Sequence, residues 1–449
     1  MLRIIRSSDK KSLDKLFRAR TARLEEAEPV ARRILDDVRR HGDRALVRYA
    51  RKLDGVDLRR QGFTVSREEI RAACRQASAE FMDALGVAAG NIRAAARNDI
   101  NLLTAQSSRQ RPKAPATTGV DLRQIVRPLE RIACYIPGGR FPLPSTVLMS
   151  VIPAQIAGVR DIVITSPHPA PAVLAAADFL GVKEIYRIGG AQAIAAFAYG
   201  TESVRRADKI VGPGNRYVAA AKKLVAGECG IDFVAGPTEL VIVGSRGRPE
   251  WIAADLVAQA EHDPDAVAIF ITPSARLARE VQAATVRLVR ELRLPVAKAS
   301  LARHGAIIVT RMMSEAVDLV NDFAPEHLTL LDVGGRVLLD EVKSAGSIFV
   351  GDYSAVAAGD YASGSNHILP TGGTARVRGG LSPFDFVKTI SVQRLNRRGL
   401  ERLRRSIVTL ATTEGLKAHA HSVETRFKAG IATEAQQHRG KTDASEASR

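Results

Sequence analysis

Five of the nine histidines lie in four short segments that also carry Gln, Asp or Glu side chains. In PEWIAADLVAQAEHDP, Gln259 and His262 are three residues apart, so on a helix they share one face near its C-terminus. This presents an amide oxygen and an imidazole together, and a helix end carrying a dipole-favoured His⁺ fits the same pattern. In NDFAPEHLTL, Glu326 and His327 are adjacent after Pro325, a pair suited to proton transfer and equally to a plain surface dipeptide. In GDYASGSNHILPTGGTARVRGG, Asp360 and His367 occupy a stretch too rich in Gly and Ser for a core element, either a functional loop or one ordered by an Asp-capped turn. In TTEGLKAHAHSVETR, Glu414 is followed by His419 and His421. The two histidines point about 200° apart on a helix and cannot readily chelate one ion. A mixed His, Asp and amide set suits zinc or another first-row divalent ion. His41, His168, His304 and His438 lack such company and read as structural or surface residues.

Three glycine-containing segments could hold a nucleotide: IPGG (136–139), IGGAQ (188–192) and VGPGN (211–215). Each ends an expected strand and precedes an expected helix, where helix N-termini suit phosphate; ordinary tight turns fit them too. Neither GxGxxG after a strand nor GxxxxGK[ST] is present.

The elements that must position these residues follow from periodicity. Residues 1–110 read as helical, with apolar side chains at three- and four-residue spacing. From about residue 118, short β-branched runs alternate with Ala-rich helices. Strands are expected at Ile132–Ile136, Asp161–Thr165, Glu184–Ile188, Lys209–Val211, Leu240–Val243, Ala266–Ile271, Gly305–Val309, Leu328–Leu331 and Ser347–Val350. Residues 351–395 read as loop-dominated and 397–429 as helical. The fold class is therefore α/β, with parallel sheets and crossover helices.

Composition is that of a globular chain: 449 residues, 45% hydrophobic and 25% charged. Neither a membrane-length apolar run nor a signal-peptide core is visible, so a cytoplasmic protein without a membrane partner is expected. Cys74, Cys134 and Cys229 are far apart and form no CxxC pair, so neither a disulfide framework nor a thiolate zinc site is indicated. The net charge of +18 raises the alternative of a nucleic-acid partner. No recognition motif accompanies it, and no nucleic-acid partner is expected.

In order along the chain, CYIPGGRFPLPSTVLM, IGGAQAIAAFAYGTESV, DKIVGPGNRYV, AGPTELVIV, DLVAQAEHDPDA, APEHL, GDYASGSNHILPT and EGLKAHAHSVE closely resemble the histidinol dehydrogenase family, over roughly residues 25–430. The resemblance implies oxidation of L-histidinol to L-histidine through histidinal, dependent on zinc and NAD. It implies metal ligands at Gln259, His262, Asp360 and His419, and a catalytic pair at Glu326 and His327. Substrate contacts would fall on Thr238, Gln259, His262, His327, Asp360, His367, Glu414 and His419, and NAD contacts on Tyr135, Gln192 and Asn215. It implies two larger domains with incomplete Rossmann-like parallel sheets, small N- and C-terminal helical segments, and a domain-swapped homodimer. In that arrangement His367, Glu414 and His419 serve the partner's site.

The implied boundaries are an arm at 1–24 and a zinc-bearing catalytic domain at 25–129 with 239–381. The NAD-binding domain is 130–238, a segment reaching the partner is 382–434, and 435–449 is a disordered tail. Thr238 stands where relatives commonly have Ser and keeps the hydroxyl; Ser354–Val356 replaces a Pro-Glu-like stretch. A relative acting on another polar alcohol, such as a sulfonated diol, is the nearest rival. Glu414 argues against it, because a carboxylate suits histidinol's ammonium and repels a sulfonate.

Overall fold

The computed structural model describes residues 2–18, 24–109, 119–138, 142–331 and 336–428. Two parallel sheets organise the first of two compact units, Met1–Ile100 with Pro128–Val387. One sheet has five strands in the order Glu184–Tyr186, Asp161–Thr165, Arg131–Tyr135, Lys209–Val211, Gly230–Ile231. The other has six, in the order Arg3–Arg6, Ala306–Val309, Val267–Thr272, Glu239–Val243, His327–Leu330, Ser347–Val350. Neighbouring strands run parallel in both.

Their sequences explain why both sheets are covered on two faces. Along Arg131–Tyr135, Ala133 and Tyr135 join one apolar cluster while Ile132 and Cys134 join another. Along Glu239–Val243, Leu240 and Ile242 face one cluster and Val241 and Val243 the opposite one. Continuous β-branched runs of this kind are what a sheet buried on both faces requires. A fully buried side chain such as Phe270 contributes about 1.5–3 kcal/mol relative to exposure.

The structure departs from the sequence expectation in several places. Residues 1–110 are not wholly helical: Arg3–Arg6 is an edge strand, with Ile4 paired to Ile307. Four residues are too few to interrupt a helical pattern read over longer windows. The apolar residues of 25–100, expected with 239–381, pack on the five-stranded sheet: Ala31, Leu35 and Leu46 on one face, Leu85, Ala89 and Ile92 on the other. The stretch 351–395 holds a helix at Val356–Tyr361 and a strand at Val387–Leu395.

The second unit comprises Asn101–Arg127 and Lys388–Arg449. Val120–Pro128 and Val387–Leu395 form a two-stranded sheet, tied by Gln124 Nε2 donating to Ser391 Oγ at 2.7 Å. Asn396 caps the helix Arg397–Thr413 by accepting from Gly399 N at 2.9 Å. Residues 417–428 are helical as well, and Arg404 Nε donates to Glu424 at 2.9 Å across the two helices. The expected tail at 435–449 lies outside the described residues.

Candidate active site

Glu326 and His327 stand at the amino end of the strand His327–Leu330, beside Thr238 and Glu239 at the start of the neighbouring strand. His327 is in register with Leu240. The entry is tightly shaped. Ala324 closes the preceding helix at φ 50°, a left-handed conformation unfavourable for a residue with a Cβ. The Glu326 carbonyl then accepts from Ser347 N at 2.9 Å, and a Cβ on Gly346 would lie 2.6 Å from that same oxygen. Only glycine permits this approach.

One carboxylate oxygen organises the centre. Glu326 Oε2 accepts from the Thr238 hydroxyl at 2.6 Å and from Glu239 N at 2.7 Å. Thr238 Oγ1 in turn accepts from Gln259 Nε2 at 2.6 Å. His327, only 3% exposed, has Nδ1 at 3.0 Å from the Glu239 carbonyl. A carbonyl can only accept, so Nδ1 carries a proton in either charge state, and whenever the ring is neutral its lone pair is on Nε2. Nε2 lies 3.5 Å from Asp360 Oδ1 and meets no hydrogen-bond partner among the described residues. Burial alone would lower the imidazole pKa; the carboxylates of Glu326 and Asp360 outweigh it and hold it above its ordinary value. Burial would likewise raise the Asp360 carboxyl, but His327, His367 and His262 hold it below the usual carboxylate range.

Gln259 and His262 end the helix Pro249–Glu261, which has proline in its first turn as expected. Gln259 is buried and His262 exposed. His367 braces the site. Nδ1 is 2.8 Å from the Asp360 carbonyl and Nε2 is 3.1 Å from Thr146 Oγ1, so both ring nitrogens are occupied within this chain. Burial lowers its pKa, in keeping with a neutral ring. His367 thus stands beside Asp360 of its own chain, whereas Glu414 and His419 belong to the second unit, where both are exposed.

The residues expected to meet a dinucleotide cluster at the carboxyl edge of the five-stranded sheet. Tyr135 ends its central strand and is buried; burial pushes its hydroxyl up to about 12, and Gly190 N donates to it at 3.1 Å. Gln192 is fully buried near the start of Gly190–Tyr199 and donates from Nε2 to Asp54 Oδ2 at 2.8 Å. Asn215 caps Arg216–Val225, accepting from Tyr217 N at 3.0 Å and Val218 N at 3.1 Å. Gly212 leads into this cap at φ 112°, and a Cβ there would run into the Tyr135 carbonyl. Its peptide is held at both ends: N donates to Asp232 at 2.8 Å and O accepts from Lys222 Nζ at 3.0 Å, while Lys222 and Asp232 form a buried ion pair. Gly139 of the first glycine segment lies outside the described residues.

Sequence reading missed Glu239, Thr146, Asp54, Lys222 and Asp232. It also set aside His168, whose Nε2 is 2.5 Å from the Asp54 carbonyl. Glu239 left the only usable signal, an acidic residue opening an apolar strand. Among the described residues, no group of three or more His, Cys, Asp or Glu side chains is placed to hold a metal ion. The first unit offers His262, Asp360 and the Gln259 amide, nitrogen and oxygen donors that fit a borderline divalent ion but fall short of the four ligands zinc usually takes.

Two doubly covered parallel sheets, one with glycine loops at its carboxyl edge and one with a buried Glu–His–Asp group, define an α/β protein with a candidate active site. A family model for histidinol dehydrogenase matches residues 18–427. Histidinol dehydrogenase of Syntrophotalea carbinolica is 48% identical over 413 residues, covering 90% of this chain and 93% of the relative. That of Methanothermobacter thermautotrophicus is 47% identical over 403 residues, covering 88% and 92%. The solved histidinol dehydrogenase from Elizabethkingia anophelis aligns with a TM-score of 0.81 at 37% identity, covering 89% of this chain and 92% of that one. The chain belongs to the histidinol dehydrogenase family and is an oxidoreductase of that type. Membership carries the reaction class with it, oxidation of histidinol in histidine biosynthesis.

Proposed function

We propose that this chain performs both oxidations from L-histidinol to L-histidine, passing through histidinal and giving one hydride to each of two NAD molecules. A zinc ion would be held by Gln259, His262 and Asp360, with His419 lent by a second copy of the chain. The observation that carries this reading is the buried His327, locked through Nδ1 and unpartnered at Nε2. Bound zinc would grip the imidazole and amine of the amino alcohol and fix its carbinol carbon, and NAD would accept the hydride.

The chain's own groups supply the proton chemistry. His327 Nε2 takes the alcohol proton as hydride leaves, giving histidinal and NADH. Glu326, whose Oε2 is committed to Thr238 and Glu239, uses Oε1 to polarise a water for attack on the aldehyde carbon. His327, having released the first proton to solvent, again takes one at Nε2, and the hydrate loses a second hydride to the second NAD to give the carboxylate. Tyr135, Gln192 and Asn215 would orient the cofactor, and His367 would hold Asp360 in place. The exposed Glu414 and His419 suit service in a homodimer's shared sites, with Glu414 receiving the substrate's ammonium. We place the enzyme in the cytoplasm; among the described residues no helix is long and apolar enough to cross a membrane.

The test is NADH formation from L-histidinol before and after chelation. The expected result is two NADH per histidine, abolished by chelation and restored by zinc. One NADH per turnover, or indifference to chelation, would overturn the reading.

A further inference from the structure

We propose that Thr238 is a positioning residue for the metal ligand Gln259, a role beyond the substrate contact that the family resemblance implies. The inference rests on the zinc reading above and concerns the direction of the hydrogen bonds behind the ligand. Glu326 Oε2 accepts from Glu239 N, a group that can only donate, so that oxygen acts as an acceptor. The Thr238 hydroxyl, 2.6 Å from the same oxygen, therefore spends its single proton there. With its proton committed, Thr238 Oγ1 can only accept from Gln259, also 2.6 Å away. Gln259 must then turn its NH₂ toward Thr238 and its carbonyl oxygen the other way. Amide oxygen, not amide nitrogen, has the lone pair a metal ion uses. A flipped amide would set two acceptor oxygens against each other inside a buried site.

The catalytic carboxylate thus fixes, through one hydroxyl, which end of Gln259 is presented. The proton and one lone pair of Thr238 Oγ1 are used within the chain, and Ser at this position would keep both. Outer partners of metal ligands are worth about 10–100-fold in metal affinity.

The experiment measures zinc dissociation constants by competition with a chromophoric chelator. It uses the full chain as purified and its Thr238→Val and Thr238→Ser variants, with thermal unfolding of each metal-free protein alongside. Thr238→Val is expected to bind zinc about 10–100-fold more weakly, while Thr238→Ser stays within about threefold of wild type and the unfolding temperatures agree. Thr238→Ala is the second hydroxyl-free variant should Val fold poorly. Wild-type zinc affinity in Thr238→Val, with only the KM for histidinol raised, would overturn the proposal in favour of a substrate contact. Equal losses in the Ser and Val variants would overturn it in favour of methyl packing. A wild-type chain that takes up no zinc would instead sink the zinc reading, and this inference with it.

Discussion

The five- and six-stranded sheets are wound in the same way. In each, a first strand is flanked on one side by the next two in sequence and on the other by the following two, with Arg3–Arg6 added at the edge of the larger. Each sheet therefore has a switch point beside its first strand. The five-stranded sheet uses the carboxyl edge there: Tyr135 and the Gly212–Asn215 loop end adjacent strands, and the helices Gly190–Tyr199 and Arg216–Val225 begin at that edge. The six-stranded sheet uses the opposite edge: Glu239 and His327 start adjacent strands, and Pro249–Glu261 ends nearby with Gln259 and His262. Helix N-termini carry partial positive charge and suit a pyrophosphate, whereas C-termini carry partial negative charge and suit a metal ion or an ammonium. On the proposed function, one winding would thus provide an anion pole in one sheet and a cation pole in the other.

The largest expected effect separates chemistry from binding at the cation pole. His327→Asn should lower kcat by about 10²–10⁴-fold while zinc content and NAD affinity stay unchanged, by steady-state kinetics and metal analysis. Loss of zinc in this variant would mean that His327 belongs to the metal cage. Glu326→Gln should slow oxidation of supplied histidinal; an effect confined to the alcohol step would remove its role toward water.

A second, smaller effect belongs to the anion pole. Lys222→Met leaves Asp232 buried without its partner and should cost about 3–5 kcal/mol in chemical denaturation. Replacing both, as Lys222→Met with Asp232→Leu, should recover much of that stability. The KM for NAD should still rise, because Gly212 loses both of its clamps. An unchanged KM would show that the loop is set by Tyr135 packing alone.

The smallest effect is a pH dependence on the helix of the cation pole. Burial raises Asp255, one turn before Gln259, to about 6 from 3.8. A raised carboxyl binds its proton more tightly in the folded state, so its stabilisation is complete below about pH 4 and is lost as pH rises through about 6. In metal-free protein, Asp255→Asn should therefore match wild type near pH 4. Near pH 8 it should exceed wild type by up to about 2 kcal/mol, allowing for partial exposure. Equal denaturation profiles at both pH values would mean the carboxyl is not buried in solution.

The two poles were not equally legible in the sequence. At the carboxyl edge, Gly-rich strand ends mark where chain must turn into a helix, so IGGAQ and VGPGN were visible as candidates. At the amino edge the punctuation, Gly236-Pro237 and Pro325, only marks where strands begin. Glu326 and His327 read as an ambiguous dipeptide, Thr238 entered only through the family resemblance, and Glu239 was missed. What joins them is register between strands 87 to 88 residues apart in sequence, which periodicity does not contain. The apolar run Ile132–Ile136 was legible as a strand of a parallel sheet, and the structure divides Ile132 and Cys134 from Ala133 and Tyr135 between two cores. The edge strand Arg3–Arg6 was hidden because one partner strand, not its own pattern, makes it β.

The most direct test of the two-pole account is a double dissociation of ligand affinities. Zinc binding would be measured by chelator competition and NAD binding by calorimetry, each in His262→Ala and in Asn215→Ala. His262→Ala should lose zinc and keep NAD; Asn215→Ala should weaken NAD and keep zinc. A His262→Ala protein that retains zinc, or a single variant that loses both ligands while remaining folded, would contradict the account.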